Sequence, residues 1–149
     1  MSVVLWREGN LDGAVEMITE VKEKAPSTNV YGTMGVLLLD KARRGNPEEY
    51  LEFMQEAYGY NSDDKTIADN LAELYYLLGR DADAREVYEK LNWGRIFSPM
   101  PYYNYAKVMI RTGDTEKARE LLEKALTLKF TSVMTVSREM VERTLAAIG

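Results

Sequence analysis

The side chains best equipped for chemistry in this chain are its acids. Asp63 and Asp64 stand side by side after Tyr60-Asn61-Ser62, and Asp81 and Asp83 are two positions apart. Paired carboxylates can act as general acid and base or grip a cation. Both pairs also lie where a helix should begin, and there a carboxylate caps backbone N–H groups and complements the helix dipole. No calcium-loop spacing, with its central glycine and terminal glutamate, surrounds either pair, so capping accounts for all four acids. Other parts of an active site are missing. The chain has no cysteine and no histidine, which removes thiolate and imidazole chemistry and nearly every zinc site. Serines and threonines have no histidine to activate them, and no local pattern marks Ser-Lys chemistry. The glycine pairs Gly9/Gly13 and Gly32/Gly35 give neither a dinucleotide fingerprint nor a Walker loop. The expectation is a protein that is not an enzyme, with no catalytic residue, no cofactor and no metal site.

The elements that would hold these residues follow from composition and spacing. With 149 residues, 46% of them hydrophobic, the chain suits one domain with one core. Nineteen basic residues against 24 acidic ones leave a net charge of −5, which offers no footprint for a phosphate backbone. Nucleic acid is therefore not an expected partner. The longest apolar runs, such as Val36 to Leu39, fall far short of a membrane span, so no direct membrane insertion is expected. Cytoplasmic location is the default expectation, with a membrane anchor in a preceding region as its alternative.

Self-similarity organises the chain. Gly9, Gly45, Gly79 and Gly113 each follow an apolar, helix-like stretch and precede a polar residue, at separations of 36, 34 and 34. Such a glycine is the usual left-handed helix stop, because without Cβ it takes positive φ cheaply. Asn46 with Pro47, and Asp114, can cap the helices that follow. Counting the glycine as the fifteenth position of a unit, the twentieth holds Ala14, Tyr50, Ala84 and Ala118. The twenty-fourth holds Ile18, Met54, Tyr88 and Leu122, and the twenty-seventh Val21, Ala57, Leu91 and Ala125. Second helices therefore present an apolar stripe with small residues at close approaches. First helices agree: Leu71, Ala72 and Tyr75 match Tyr105, Ala106 and Met109.

With Leu71 to Tyr75, Gly79 to Ala84, and Gly113 to Ala118 with Ala125 in this frame, the chain resembles a tetratricopeptide repeat protein over nearly its whole length. The resemblance implies an all-α, right-handed α-solenoid of helix-turn-helix repeats. The expected organisation is a single domain: a partial repeat over 1–26, repeats over 27–62, 63–97 and 98–131, and a capping helix over 132–149. The first helix of the second unit should run nearly a turn longer, because Tyr31, Gly35 and Leu38 fit only with about three extra residues before Gly45.

By the same resemblance, first helices line a concave groove and project Thr66, Asp69, Asn70, Glu73 and Leu77, then Met100, Tyr103, Asn104, Lys107 and Arg111, into it. Asn29, Gly32, Thr33 and Val36 continue the row. Asn70 and Asn104 resemble the asparagine ladder of some peptide-binding members, in which carboxamides hold a peptide backbone without reading its side chains. Asp69 and Glu73 against Lys107 and Arg111 favour a ligand acidic towards the C-terminal unit. The family's carboxylate clamp is absent, since of its positions only Asn70 matches, and tight binding to acidic chaperone tails is not expected.

The implied function is a non-catalytic protein- or peptide-binding scaffold. The alternative is a structural or self-association module docking through an apolar N-terminal edge of Val3, Leu5 and Trp6. A fragment of a longer protein is the favoured reading of that edge, because terminal repeats normally need a polar cap. An RNA-reading helical-repeat protein is opposed by the acidic balance. The segment Phe97 to Tyr103 reads as a stiff inter-repeat loop with Pro99 at a helix start. Its alternative is an outward contact patch of Trp93, Phe97 and Tyr102, with Tyr105 in the core. In the last helix Val136, Met140, Thr144 and Ile148 form an apolar stripe, while Arg138, Glu139, Glu142 and Arg143 face water.

Overall fold

Short polar side chains start most of the helices. In the computed structural model, which describes Trp6 and residues 9–149, eight helices run in order: α1 Leu11–Lys24, α2 Thr28–Arg44, α3 Leu51–Tyr60, α4 Lys65–Leu77, α5 Asp81–Glu89, α6 Pro99–Arg111, α7 Thr115–Leu126 and α8 Arg138–Ile148. Asp64 accepts the Ile67 N–H at 2.9 Å, Asp114 that of Lys117 at 3.2 Å, and Ser137 that of Met140 at 3.2 Å. Each satisfies a backbone donor that the first turn leaves unpaired. Asp64 is thus a cap, and Asp81 opens α5. Pro99 occupies the first position of α6, where its missing N–H costs nothing.

Helix ends obey the glycine rule in three places of four. Gly9, Gly79 and Gly113 have φ of 88°, 77° and 90°. At Gly79 the Arg80 N–H donates to Tyr75 O at 2.8 Å and the Gly79 N–H to Tyr76 O at 3.1 Å, the paired bonds of a left-handed helix stop. Gly45 departs from the expectation, with φ −143°. There α2 has 17 residues against 13 in α4 and α6, the extra turn foreseen for it. The chain is turned instead by Asn46, whose side chain accepts the Glu48 N–H at 3.2 Å and opens a 3₁₀ turn, Pro47–Tyr50, before α3.

The helices form two compact units, Met1–Arg80 and Asp81–Gly149. In the first, α2 packs against α1, α3 and α4. Its core includes Ala14 and Ile18 of α1, Leu37 and Leu38 of α2, Met54 and Ala57 of α3, and the unbroken run Ile67 to Tyr75 of α4. Val21, next in the α1 stripe, is 40% exposed, so the buried contact of α1 ends at Ile18. Beside it, Lys22 Nζ lies 2.9 Å from Glu56 Oε2, which also accepts from Tyr31 Oη at 2.9 Å. Hydrogen bonding to Lys22 holds the Glu56 carboxyl below its usual range, and the bond to Glu56 raises the Lys22 ammonium. A depressed carboxyl stabilises the fold above its unfolded pKa and loses that contribution as pH falls through the folded value. Glu56→Gln should therefore flatten the acid limb of thermal stability by about 0.5 kcal/mol, the scale of a half-exposed pair. Melts from pH 7 to pH 3 check this; a limb as steep as that of the parent refutes it.

In the second unit α6 packs on α5 and α7, and α8 on α7. Ala84, Ala106, Ala118 and Ala125 are fully buried where helices meet. Tyr88, Trp93, Tyr102 and Tyr105 form one aromatic cluster with ring centroids 4.8 to 6.0 Å apart. This corrects the outward-patch alternative: Trp93 donates from Nε1 to Tyr88 O at 2.8 Å, Tyr102 is buried, and Phe97, of the three, remains exposed. Val136 is buried but lies before α8, which begins at Arg138; within the helix the fully buried anchor is Val141, while Met140, Thr144 and Ile148 are half-buried.

Candidate functional site

The first-helix residues assemble differently in the two units. On α2, Asn29, Gly32, Thr33 and Val36 share one face at helical spacing, and with Thr28, Asp64 and Thr66 they line a cleft of about 400 Å³. The Asp64 cap fixes where α4 begins, and therefore which of its side chains turn towards α2. Asn70 is one of them. It is 5% exposed, and its Nδ2 donates to Gly32 O at 3.0 Å. A Cβ at Gly35 would stand 2.3 Å from that nitrogen, so the missing side chain makes the space that the carboxamide occupies. Asp69 and Glu73, on the same helix, are 8% and 2% exposed. Glu73 Oε1 lies 3.7 Å from an Arg43 guanidinium nitrogen, within ion-pair reach.

In the second unit, Met100, Tyr103 and Lys107 are half-buried on α6, Asn104 is buried, and Arg111 is exposed. Lys107 Nζ stands 5.6 Å from the centre of the Tyr103 ring, a cation–π distance. Arg111 forks onto Asp81, with Nε 2.9 Å from both carboxylate oxygens. The acid that opens α5 and a predicted recognition cation thus neutralise each other. Among the described residues, no three or more acidic side chains come together in a way that could hold a metal ion. The structure offers clefts with amides, hydroxyls and fixed charges, a chemistry of binding.

Sequence reasoning placed Thr33 in its row but missed the notch that Gly32 and Gly35 make for α4. The signal was present: two glycines three apart inside a helix each cost about 1 kcal/mol relative to alanine and so imply a packing cause. Of the N-terminal edge, Val3 and Leu5 lie outside the described residues. Trp6 donates from Nε1 to Asp40 Oδ2 at 2.7 Å.

Residues 66–91 and 101–132 each match a family model described as tetratricopeptide repeat. The chain is a tetratricopeptide repeat protein. Solved structures share its fold at low identity. A thermophilic TPR protein from Thermus thermophilus aligns over 99% of this chain and 77% of its own, at 15% identity and a TM-score of 0.76. A tetratricopeptide repeat protein from Parabacteroides merdae aligns over 99% and 57%, at 20% identity and 0.64. MamA from Desulfovibrio magneticus aligns over 99% and 88%, at 14% identity and 0.64. Such likeness establishes the fold, an all-helical one of the tetratricopeptide α-solenoid class, and leaves partners open. No curated protein matches the chain. The tetratricopeptide fold is that of a protein-interaction scaffold, and its members are in general non-catalytic. Among the described residues no helix is long and apolar enough to cross a membrane.

Proposed function

We propose that this tetratricopeptide repeat protein is a non-catalytic scaffold that holds a peptide segment of a protein partner on its first helices. The observation that carries this is the α2–α4 cleft of the first unit. Its wall is a row of residues in helical register, with Gly32 too small to obstruct an extended chain and the Asn29 amide and the Thr33 and Thr66 hydroxyls as backbone partners. A preformed cleft on rigid helices spares part of the ordering cost of binding. In this reading Asp69, Asn70 and Glu73 give the first unit an acidic, carboxamide-bearing floor. Met100, Tyr103, Asn104, Lys107 and Arg111 give the second unit its recognition groups, Arg111 as a charge fixed by Asp81. No metal, cofactor or nucleic acid is needed.

A peptide array followed by fluorescence-anisotropy titration of the best hits tests the proposal. Thr33→Arg, which fills the cleft from a half-buried position, should raise Kd about tenfold, equivalent to about 1.4 kcal/mol, with unchanged helicity. The reading is overturned if no peptide binds, or if hits bind Thr33→Arg and first-helix variants of the second unit as well as they bind the parent.

A further inference from the structure

The second unit contains a cleft that the repeat pattern did not foretell. It lies between α6 and α8 and measures about 440 Å³, a volume suited to a single large side chain with neighbouring backbone. Ile110 comes from α6; Met140, Ala147 and Ile148 come from one face of α8. Val141 directs the other face of α8 into the core. The cleft face is therefore an apolar stripe at helical spacing, with methionine as an adaptable contact.

Its polar groups all favour an anion. Arg143, exposed at the edge, makes no hydrogen bond or ion pair among the described residues. Thr144 Oγ1 lies 2.9 Å from Met140 O and 3.5 Å from Tyr103 Oη. The threonine's single proton goes to the nearer carbonyl, and the 3.5 Å contact is too long to hold the Tyr103 phenol proton, which can turn to a guest oxygen. Lys107 adds positive charge over the Tyr103 ring. No acidic residue lines the cleft. The second unit carries 11 basic and 10 acidic residues, against 8 and 14 in the first, so an acidic guest is not repelled there.

We infer that the α6–α8 cleft takes an apolar side chain of a partner protein whose neighbouring residue is an aspartate or glutamate, the apolar group lying on Met140, Ala147 and Ile148 and the carboxylate meeting Arg143 and Tyr103 Oη. The inference rests on the scaffold reading and specifies which partner segments this surface selects.

The test uses the full chain and an array of blocked octapeptides that pairs each apolar residue with an acidic, neutral or basic neighbour. The best acidic hit and its glutamine analogue are then titrated. The acidic peptide should bind the parent about tenfold more tightly than the analogue, and Arg143→Glu should abolish that preference. Ala147→Trp, at an exposed helix position, should block both peptides without loss of helicity. Hits that ignore Arg143→Glu and Ala147→Trp but fail with Thr33→Arg overturn this inference and leave the scaffold reading standing. An array with no hits overturns both. If sedimentation velocity shows self-association that Ala147→Trp dissolves, a second copy occupies the cleft and the inference is wrong.

Discussion

Replacing Tyr88 with alanine should destabilise the protein by ~3–5 kcal/mol, the cost of removing a large aromatic side chain from a packed interior. The ring is fully buried, with its centroid 4.8 Å from that of Tyr105 and 6.0 Å from that of Trp93. Its loss also loosens the segment between α5 and α6. Trp93 donates to the Tyr88 carbonyl at 2.8 Å, and Tyr102 Oη lies 3.1 Å from the Trp93 carbonyl and 3.3 Å from that of Ile96. Rings and backbone thus brace a 3₁₀ turn, Trp93–Arg95, that has little regular hydrogen bonding of its own. For a chain of this size the change should lower Tm by about 10 °C. Thermal unfolding by far-UV circular dichroism measures it, and near-UV signals should fade because the remaining rings lose a fixed packing. A Tm within about 2 °C of the parent would show that the cluster contributes no more than a surface contact.

The contrast between that cluster and the repeat frame shows what a sequence discloses. Ala14, Ala84 and Ala118 were predicted at one repeated position, and all three are fully buried. A small residue at a fixed offset from a glycine stop reports a packing distance that recurs in each unit, so its meaning survives without coordinates. Gly45 shows the limit of that logic. Its spacing fits the period, yet α2 runs a turn further and Asn46 turns the chain, because a cap and a 3₁₀ turn can replace a left-handed glycine. The sequence left two readings open for Trp93 and did not single out Val141, for a related reason. One lies in an inter-repeat segment and the other past the last repeat, where no period says which side faces the core. Of the candidate site, the row Asn29, Gly32, Thr33 and Val36 came from the tetratricopeptide resemblance with a shift of register, and the four residues line one cleft. The partner of Asn70 was not, since a hydrogen bond to a residue 38 positions away depends on how two helices meet.

That hydrogen bond makes the second large effect a question of sign. On an exposed helix surface, glycine to alanine gains about 1 kcal/mol from propensity alone. At Gly35 the new Cβ would meet Asn70 Nδ2 at 2.3 Å, Cγ at 3.0 Å and Cβ at 3.3 Å. The amide nitrogen can swing away, but the Asn70 Cγ and Cβ can move only if the side chain leaves its buried seat. Leaving breaks the bond to Gly32 O. Overpacking of this kind costs ~1–3 kcal/mol, so Gly35→Ala should destabilise despite its better propensity. Asn70→Ala alone should cost ~1 kcal/mol for the lost hydrogen bond. In the Asn70→Ala background the obstruction is gone, and Gly35→Ala should become neutral or stabilising by up to ~1 kcal/mol. Urea unfolding of the four proteins closes the cycle. The same comparison separates folding from recognition: a peptide that loses affinity equally in Asn70→Ala and Gly35→Ala depends on where the carboxamide sits, since the second variant displaces it without deleting it. If Gly35→Ala is destabilising in both backgrounds, contact with Asn70 is not what reserves this position for glycine, and the close approach of α2 and α4 must be set by Gly32, where a Cβ would lie 3.3 Å from the Thr66 methyl.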